Sequence, residues 1–99
     1  DLLIYVANWP ERRSHHWRAL LPARAIENQC YVAAVNIVGA DGNGYDYRGD
    51  SGIVDFSGQK ICQISGREGQ FTTELSLEDL HQFRRQLPFL EDADTFQLF

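Results

Sequence analysis

The residues that could do chemistry fall in a few short clusters. Asn8 and Trp9 directly follow the apolar run Leu2–Val6. In open α/β sheets, ligand sites gather beyond the C-terminal ends of strands. The pair is therefore a candidate substrate-binding element. The alternative is that Trp9 packs and Asn8 turns the chain. Arg24 and Glu27 stand at i, i+3, with Ala23, Ala25 and Ile26 around them and Asn28 in the same turn. This spacing predicts a structural ion pair, partly buried and near the site, because each charge supplies the other's partner. The alternative is Glu27 as a general base, which needs an isolated buried carboxylate with a raised pKa.

Other chemistry-bearing residues point less directly to a site. His15 and His16 are adjacent, so on a helix they diverge, whereas metal-binding helices use i, i+4; no metal site is expected. Asp41-Gly42-Asn43-Gly44-Tyr45-Asp46 opens like a calcium loop but lacks glycine at position six, and Gly52 stands where the bidentate Glu belongs. It is read as a turn. Arg48-Gly49-Asp50 is a chance match to an adhesion tripeptide. Cys30 and Cys62 both lie in apolar runs outside any CxxC pair. They read as reduced, buried cysteines of a cytoplasmic protein, with a disulfide or a catalytic thiol as alternatives.

The elements that must position these residues follow from periodicity. Leu2–Val6 suits a strand covered on both faces, ended by Ala7-Asn8-Trp9-Pro10. Ser14–Gln29 reads as a helix capped by Ser14, with Trp17, Leu20, Leu21, Ala25 and Asn28 in one stripe and Ala19, Ala23, Ile26 and Cys30 in a neighbouring one. So broad a face predicts packing on more than one side. Pro22 predicts a kink or a restart. Tyr31–Val38 reads as a central strand with Asn36 its only polar residue, and Gly39–Asp50 as a loop. Ile53–Phe56 and Lys60–Ile64 form a hairpin candidate around Ser57-Gly58-Gln59, and Phe71–Leu75 suggests one further strand. Ser76–Leu87 is the clearest helix, with Ser76 and Asp79 resembling a capping box and Pro88 stopping it. The acidic, aromatic tail Phe89–Phe99 has no periodicity. The order predicts an α/β layered domain, incomplete at its N-terminal side because the chain opens on a core strand.

Composition narrows the function classes. The chain has 99 residues, 43% hydrophobic and 23% charged, which suits an ordinary folded domain. A formal charge of −5 argues against a nucleic-acid partner, since phosphate binding needs a basic face. The longest apolar run, Leu2–Ala7, is too short to span a membrane as a helix.

Taken together, the residues resemble the nitrilase superfamily of carbon–nitrogen hydrolases, most of all its omega-amidase-type branch. The resemblance is carried by Ala7-Asn8-Trp9-Pro10, Arg13, His16-Trp17, Leu20-Leu21 and Ala23-Arg24-Ala25-Ile26-Glu27-Asn28-Gln29. It continues through Tyr31-Val32, Asn36, Val38-Gly39, Asp41-Gly42, Tyr47, Gly49, Ser51 and Gly58. It ends with Leu75, Leu77, Leu80, Arg84, Pro88 and Asp92-Ala93-Asp94. It implies a four-layer α-β-β-α sandwich of which this chain is the C-terminal part. It also implies a Cys nucleophile, a Glu base and a Lys at the oxyanion, all upstream of Asp1, with no catalytic residue in this chain. The substrate would be a small omega-amide, the mono-amide of a dicarboxylate such as an α-keto acid. That chemistry needs no metal or organic cofactor. The complete protein would be a homo-oligomer, a homodimer in the simplest case. Asn36-Ile37-Val38-Gly39 departs from the Asn-Arg-Val-Gly of similar sequences, and any contact of that Arg is lost. The alternatives are another amide-cleaving branch, such as a nitrilase or carbamoylase, and a non-catalytic structural or assembly fragment.

Overall fold

The apolar run at the start forms strand β1, Leu2–Ala7, in a computed structural model that describes residues 1–99. Pro10 ends the extended stretch and leads into a 3-10 turn, Glu11–Arg13, that feeds helix α1, Ser14–Asn28. The chain then returns as β2, Tyr31–Asn36, parallel to β1 in a register running from Leu2 opposite Tyr31 to Ala7 opposite Asn36. A parallel pair requires such a crossover. Ser14 is the first residue of α1 and does not cap it. The cap position falls on Arg13, without a side-chain hydrogen bond, because the preceding 3-10 turn supplies the entry. Pro22 lies inside a helix that continues through it rather than restarting.

α1 ends in a Schellman arrangement, Cys30 N–H bonding Ala25 O at 3.1 Å and Gln29 N–H bonding Ile26 O at 3.2 Å. Gln29 takes the left-handed conformation, φ 43°, at a place where glycine is usual. Its fully buried side chain donates to Leu87 O at 2.7 Å, and its carbonyl accepts from Arg84 Nε at 2.9 Å. The strained residue thus docks helix α2, Leu77–Gln86, against the end of α1. Ser76 caps α2 by accepting from Asp79 N–H at 3.0 Å, as its sequence predicts.

The stretch read as a loop, Gly39–Asp50, contains most of a strand pair. β3, Val38–Ala40, pairs antiparallel with β4, Asp46–Val54, and only residues 41–45 turn the chain. The central strand accordingly stops at Asn36. β4 then pairs with β2 on one side, Ala33 opposite Ile53, and with β5, Lys60–Ser65, on the other. The expected hairpin around Ser57-Gly58-Gln59 is present, with Asp55 N–H bonding Gln59 O at 2.8 Å. Phe71–Leu75 forms no strand. A further 3-10 turn, Phe89–Asp92, follows α2.

β4 bends between the segment paired with β3 and the segment paired with β2. Gly49 and Asp50 both have positive φ, 78° and 54°. A Cβ on Gly49 would stand 2.7 Å from Val38 Cγ1, so only glycine fits.

The core lies between α1 and the sheet. Trp17, Leu21 and Ala25, at i, i+4 and i+8, pack on Cys30, Val32, Ala34 and Val54. Burying side chains the size of Trp17 and Leu21 contributes about 1.5–3 kcal/mol each. The neighbouring stripe of Ala19, Ala23 and Ile26 is exposed on this chain. The opposite face of the sheet is largely bare: Ile4, Val6 and Val35 are 67%, 82% and 56% exposed.

Candidate functional site

β1 and β2 run parallel, so their C-terminal ends, Ala7 and Asn36, lie side by side. The strand-end segment Asn8-Trp9-Pro10 is held there by one side chain. Trp9 N–H donates to Asn36 Oδ1 at 2.7 Å, and Asn36 Nδ2 donates to Trp9 O at 3.0 Å and to Gly49 O at 2.9 Å. Ser51 fixes the Asn36 backbone in turn, its hydroxyl accepting from Asn36 N–H at 2.9 Å and donating to Asn36 O at 3.1 Å. The Trp9 indole N–H donates to Arg13 O at 2.6 Å, and its ring lies 5.8 Å from that of Trp17. The Arg13 guanidinium sits 5.1 Å above the Trp9 ring, and that of Arg12 sits 4.8 Å above Tyr45. Asn8 is exposed and Trp9 half-buried.

A second polar knot sits one residue beyond Gly49. Asp50 is buried and accepts from Arg18 at 2.9 Å, Gln63 at 3.0 Å and Ser65 at 2.5 Å. Its carbonyl accepts from the Trp17 indole at 2.9 Å. A buried carboxylate with that many donors is satisfied and ties α1 to β4 and β5. Near the hairpin tip, Asp41 accepts from Tyr45 N–H at 3.0 Å, the Tyr47 hydroxyl at 2.8 Å and Asn43 N–H at 2.8 Å. The Tyr45 amide first, and the Tyr47 hydroxyl next, hold its carboxyl below the usual carboxylate range. The same bond pushes the Tyr47 phenol up.

The other sequence candidates fall elsewhere. Arg24 and Glu27 do form an ion pair, and Asn28 Nδ2 donates to Arg24 O at 2.9 Å. On this chain the pair is exposed, 44% and 51%, rather than partly buried, because α1 turns this stripe away from the sheet. No hydrogen bond links it to Asn8 or Trp9; Arg24 only borders the shallow groove that Trp9 shares with Tyr5, Trp17 and Leu21. Cys30 is a free, buried thiol at the start of β2, the opposite end from Asn36, and Cys62 is free on β5. No three His, Cys, Asp or Glu side chains gather as a metal site. Asn36 and Asp50 were not among the sequence candidates. For Asn36 the signal was one amide in an otherwise apolar strand; for Asp50 there was none.

This strand end offers an exposed amide, a half-buried indole and two cations, Arg12 and Arg13, each seated on an aromatic ring. Such a surface can bind and orient a small polar molecule. It pairs no nucleophile with a base.

Known proteins share this sequence pattern and this fold. The pattern of the carbon-nitrogen hydrolase family matches residues 1–85. The chain is 50% identical to omega-amidase YafV of Escherichia coli over its whole length, covering 39% of that protein. It is 37% identical to the 2-oxoglutaramate amidase of Bacillus subtilis, with 93% of this chain and 35% of that one aligned. The crystal structure of XC1258 from Xanthomonas campestris, a CN-hydrolase superfamily protein with an arsenic adduct in its active site, superposes with a TM-score of 0.95 at 48% identity. All of this chain and 37% of that one are covered. The NitFhit protein of C. elegans gives a TM-score of 0.81 at 34% identity, with 93% of this chain and 23% of that one covered. The chain thus spans about two fifths of the length of omega-amidase YafV, having 39% coverage. By sequence and by fold, it belongs to the carbon–nitrogen hydrolase family and forms part of the nitrilase-like sandwich.

Proposed function

We propose that the protein containing these residues hydrolyses a small omega-amide, the mono-amide of a dicarboxylate of the α-keto acid type. Water enters, the carbon–nitrogen bond breaks, and the products are the acid and ammonia. The observation that carries this reading is the 50% identity to omega-amidase YafV along the whole chain. The 2-oxoglutaramate amidase of Bacillus subtilis, at 37% identity, supports the same substrate class.

In this reading a Cys attacks the amide carbon, a Glu moves the protons and a Lys stabilises the oxyanion, all three from outside residues 1–99. The surroundings of the residues present support that placement. Cys30 is buried at the end of β2 opposite Asn36, and Lys60, the only lysine, opens β5. Asn8 and Trp9 bind the substrate at the end of β1. Arg24, Glu27 and Asn28 keep a structural role beside the site. The complete protein is a cytoplasmic homo-oligomer and uses no cofactor.

The test is ammonia release by the full-length protein from 2-oxoglutaramate and related omega-amides, with and without prior alkylation by iodoacetamide. Turnover abolished by alkylation is expected. The isolated Asp1–Phe99 should release no ammonia, and Cys30→Ser in the full-length protein should keep turnover. A full-length protein inert toward every omega-amide sinks the proposal, and loss of the chemistry in Cys30→Ser moves the nucleophile into this chain.

A further inference from the structure

We propose that Asn36 is a positioning residue for the reaction. Its side chain takes the place of a strand neighbour for Trp9 and so sets the height and direction of the Asn8-Trp9 segment at the site. The inference rests on the omega-amidase reading above.

The β1–β2 ladder stops at Ala7 opposite Asn36, two residues short of Trp9. Beyond it no backbone of β2 is paired with the Trp9 peptide. The Asn36 carboxamide does so instead, accepting from Trp9 N–H at 2.7 Å and donating to Trp9 O at 3.0 Å. A primary amide has the donor and acceptor geometry of a peptide group, so the pairing is extended by a side chain. Its second N–H reaches Gly49 O at 2.9 Å, in the left-handed bend of β4. Every hydrogen-bonding direction of the amide but one lone pair is used, and Asn36 is 8% exposed.

Three strands therefore meet on one side chain. The exposed side chain of Asn8 is left free of this duty, while the half-buried Trp9 ring is set against Trp17 and Arg13 at the same strand end. Pro10, with φ −70° and ψ 149°, and the bond from Arg13 N–H to Pro10 O at 2.9 Å stiffen the downstream side. The segment is thus held on both flanks, and loss of the Asn36 bonds releases one of them.

Asn36→Asp is the informative change. It keeps the shape and the acceptor for Trp9 N–H, but it removes both donors and sets a carboxylate oxygen against the carbonyls of Trp9 and Gly49. Leu80→Ala is the control, since Leu80 is fully buried in α2, which docks at the Gln29 end of β2 and not at the Asn36 end. Both variants, in the full-length protein, are compared by ammonia release, by thermal unfolding, by the rate of thiol alkylation with iodoacetamide and by hydrogen exchange of peptides covering residues 8–13.

Asn36→Asp is expected to lower kcat/KM per folded molecule on the order of ten- to a hundredfold, with KM raised and exchange over residues 8–13 faster. Alkylation of the nucleophile should stay near wild type, because Asn36 does not act on the thiol. Leu80→Ala should lower the melting temperature and keep kcat/KM per folded molecule. An active wild type whose kcat/KM is matched by folded Asn36→Asp, or Asn36→Asp with unchanged exchange over residues 8–13, overturns the inference alone. A wild type that releases no ammonia overturns the functional reading and this inference together.

Discussion

Glu27 and Arg24 set the scale for single residues. Removing one partner of a buried ion pair is expensive, about 3–5 kcal/mol. On this chain both side chains are exposed, and an exposed helical pair is worth no more than about 1 kcal/mol. Glu27→Gln in isolated Asp1–Phe99 should therefore shift the denaturant midpoint only slightly, read by circular dichroism in urea. A large shift would mean the carboxylate is buried after all. The position of Asn8 and Trp9 at the C-terminal end of a strand was legible because they directly follow an apolar run. Asn36 was visible only as an odd amide in an apolar run, since its partners Trp9 and Gly49 are 27 and 13 residues away in sequence. Asp50 was read as part of a glycine-rich loop. Its burial comes from Arg18 and Ser65, at separations of 32 and 15, which no local pattern carries.

Elements with a strong apolar period were legible, and polar ones were not. β1, α1, β2, β5 and α2 stand where their hydrophobic patterns put them. β3 and the first half of β4 were missed because Gly39, Gly49, Asp46 and Asp50 are strand-poor types and because the strand bends at its two left-handed residues. Phe71–Leu75 has the composition of a strand but pairs with no other strand. The hairpin of β3 and β4 carries its own pH dependence. Asp41 titrates below its ordinary value of 3.8 when folded, so its bonds favour the fold wherever the unfolded carboxyl is already ionised. That contribution is present above about pH 4 and is lost as pH falls below it, through the lowered folded value. Acid titration of the hairpin resonances by NMR should show Tyr45 N–H and Tyr47 shifting together in that window. Asp41→Asn should reduce the acid-linked loss of stability, and an unchanged acid limb in that variant would remove Asp41 as a contributor.

At the scale of the whole molecule, α1 covers one face of the sheet, and Ile4, Val6 and Val35 leave the other open. The outer edge of β1 has no partner within the chain. Apolar patches and free strand edges promote association. Isolated Asp1–Phe99 should accordingly elute above monomer size in gel filtration and bind the dye ANS, and Val6→Lys with Val35→Glu should reduce both. A monomer with a sharp two-state unfolding transition would count against this. The clamp on Trp9 has a last consequence, for biosynthesis. Chains emerge from the ribosome N-terminal end first. Trp9 emerges before Asn36, which holds it only after a further 27 residues have been added, and Gly49 and Ser51, the supports of Asn36, come later still. The Asn8-Trp9 segment cannot be set until residue 51 has left the tunnel, so a nascent chain stalled between β2 and β4 would carry its first strands but not a fixed strand-end segment.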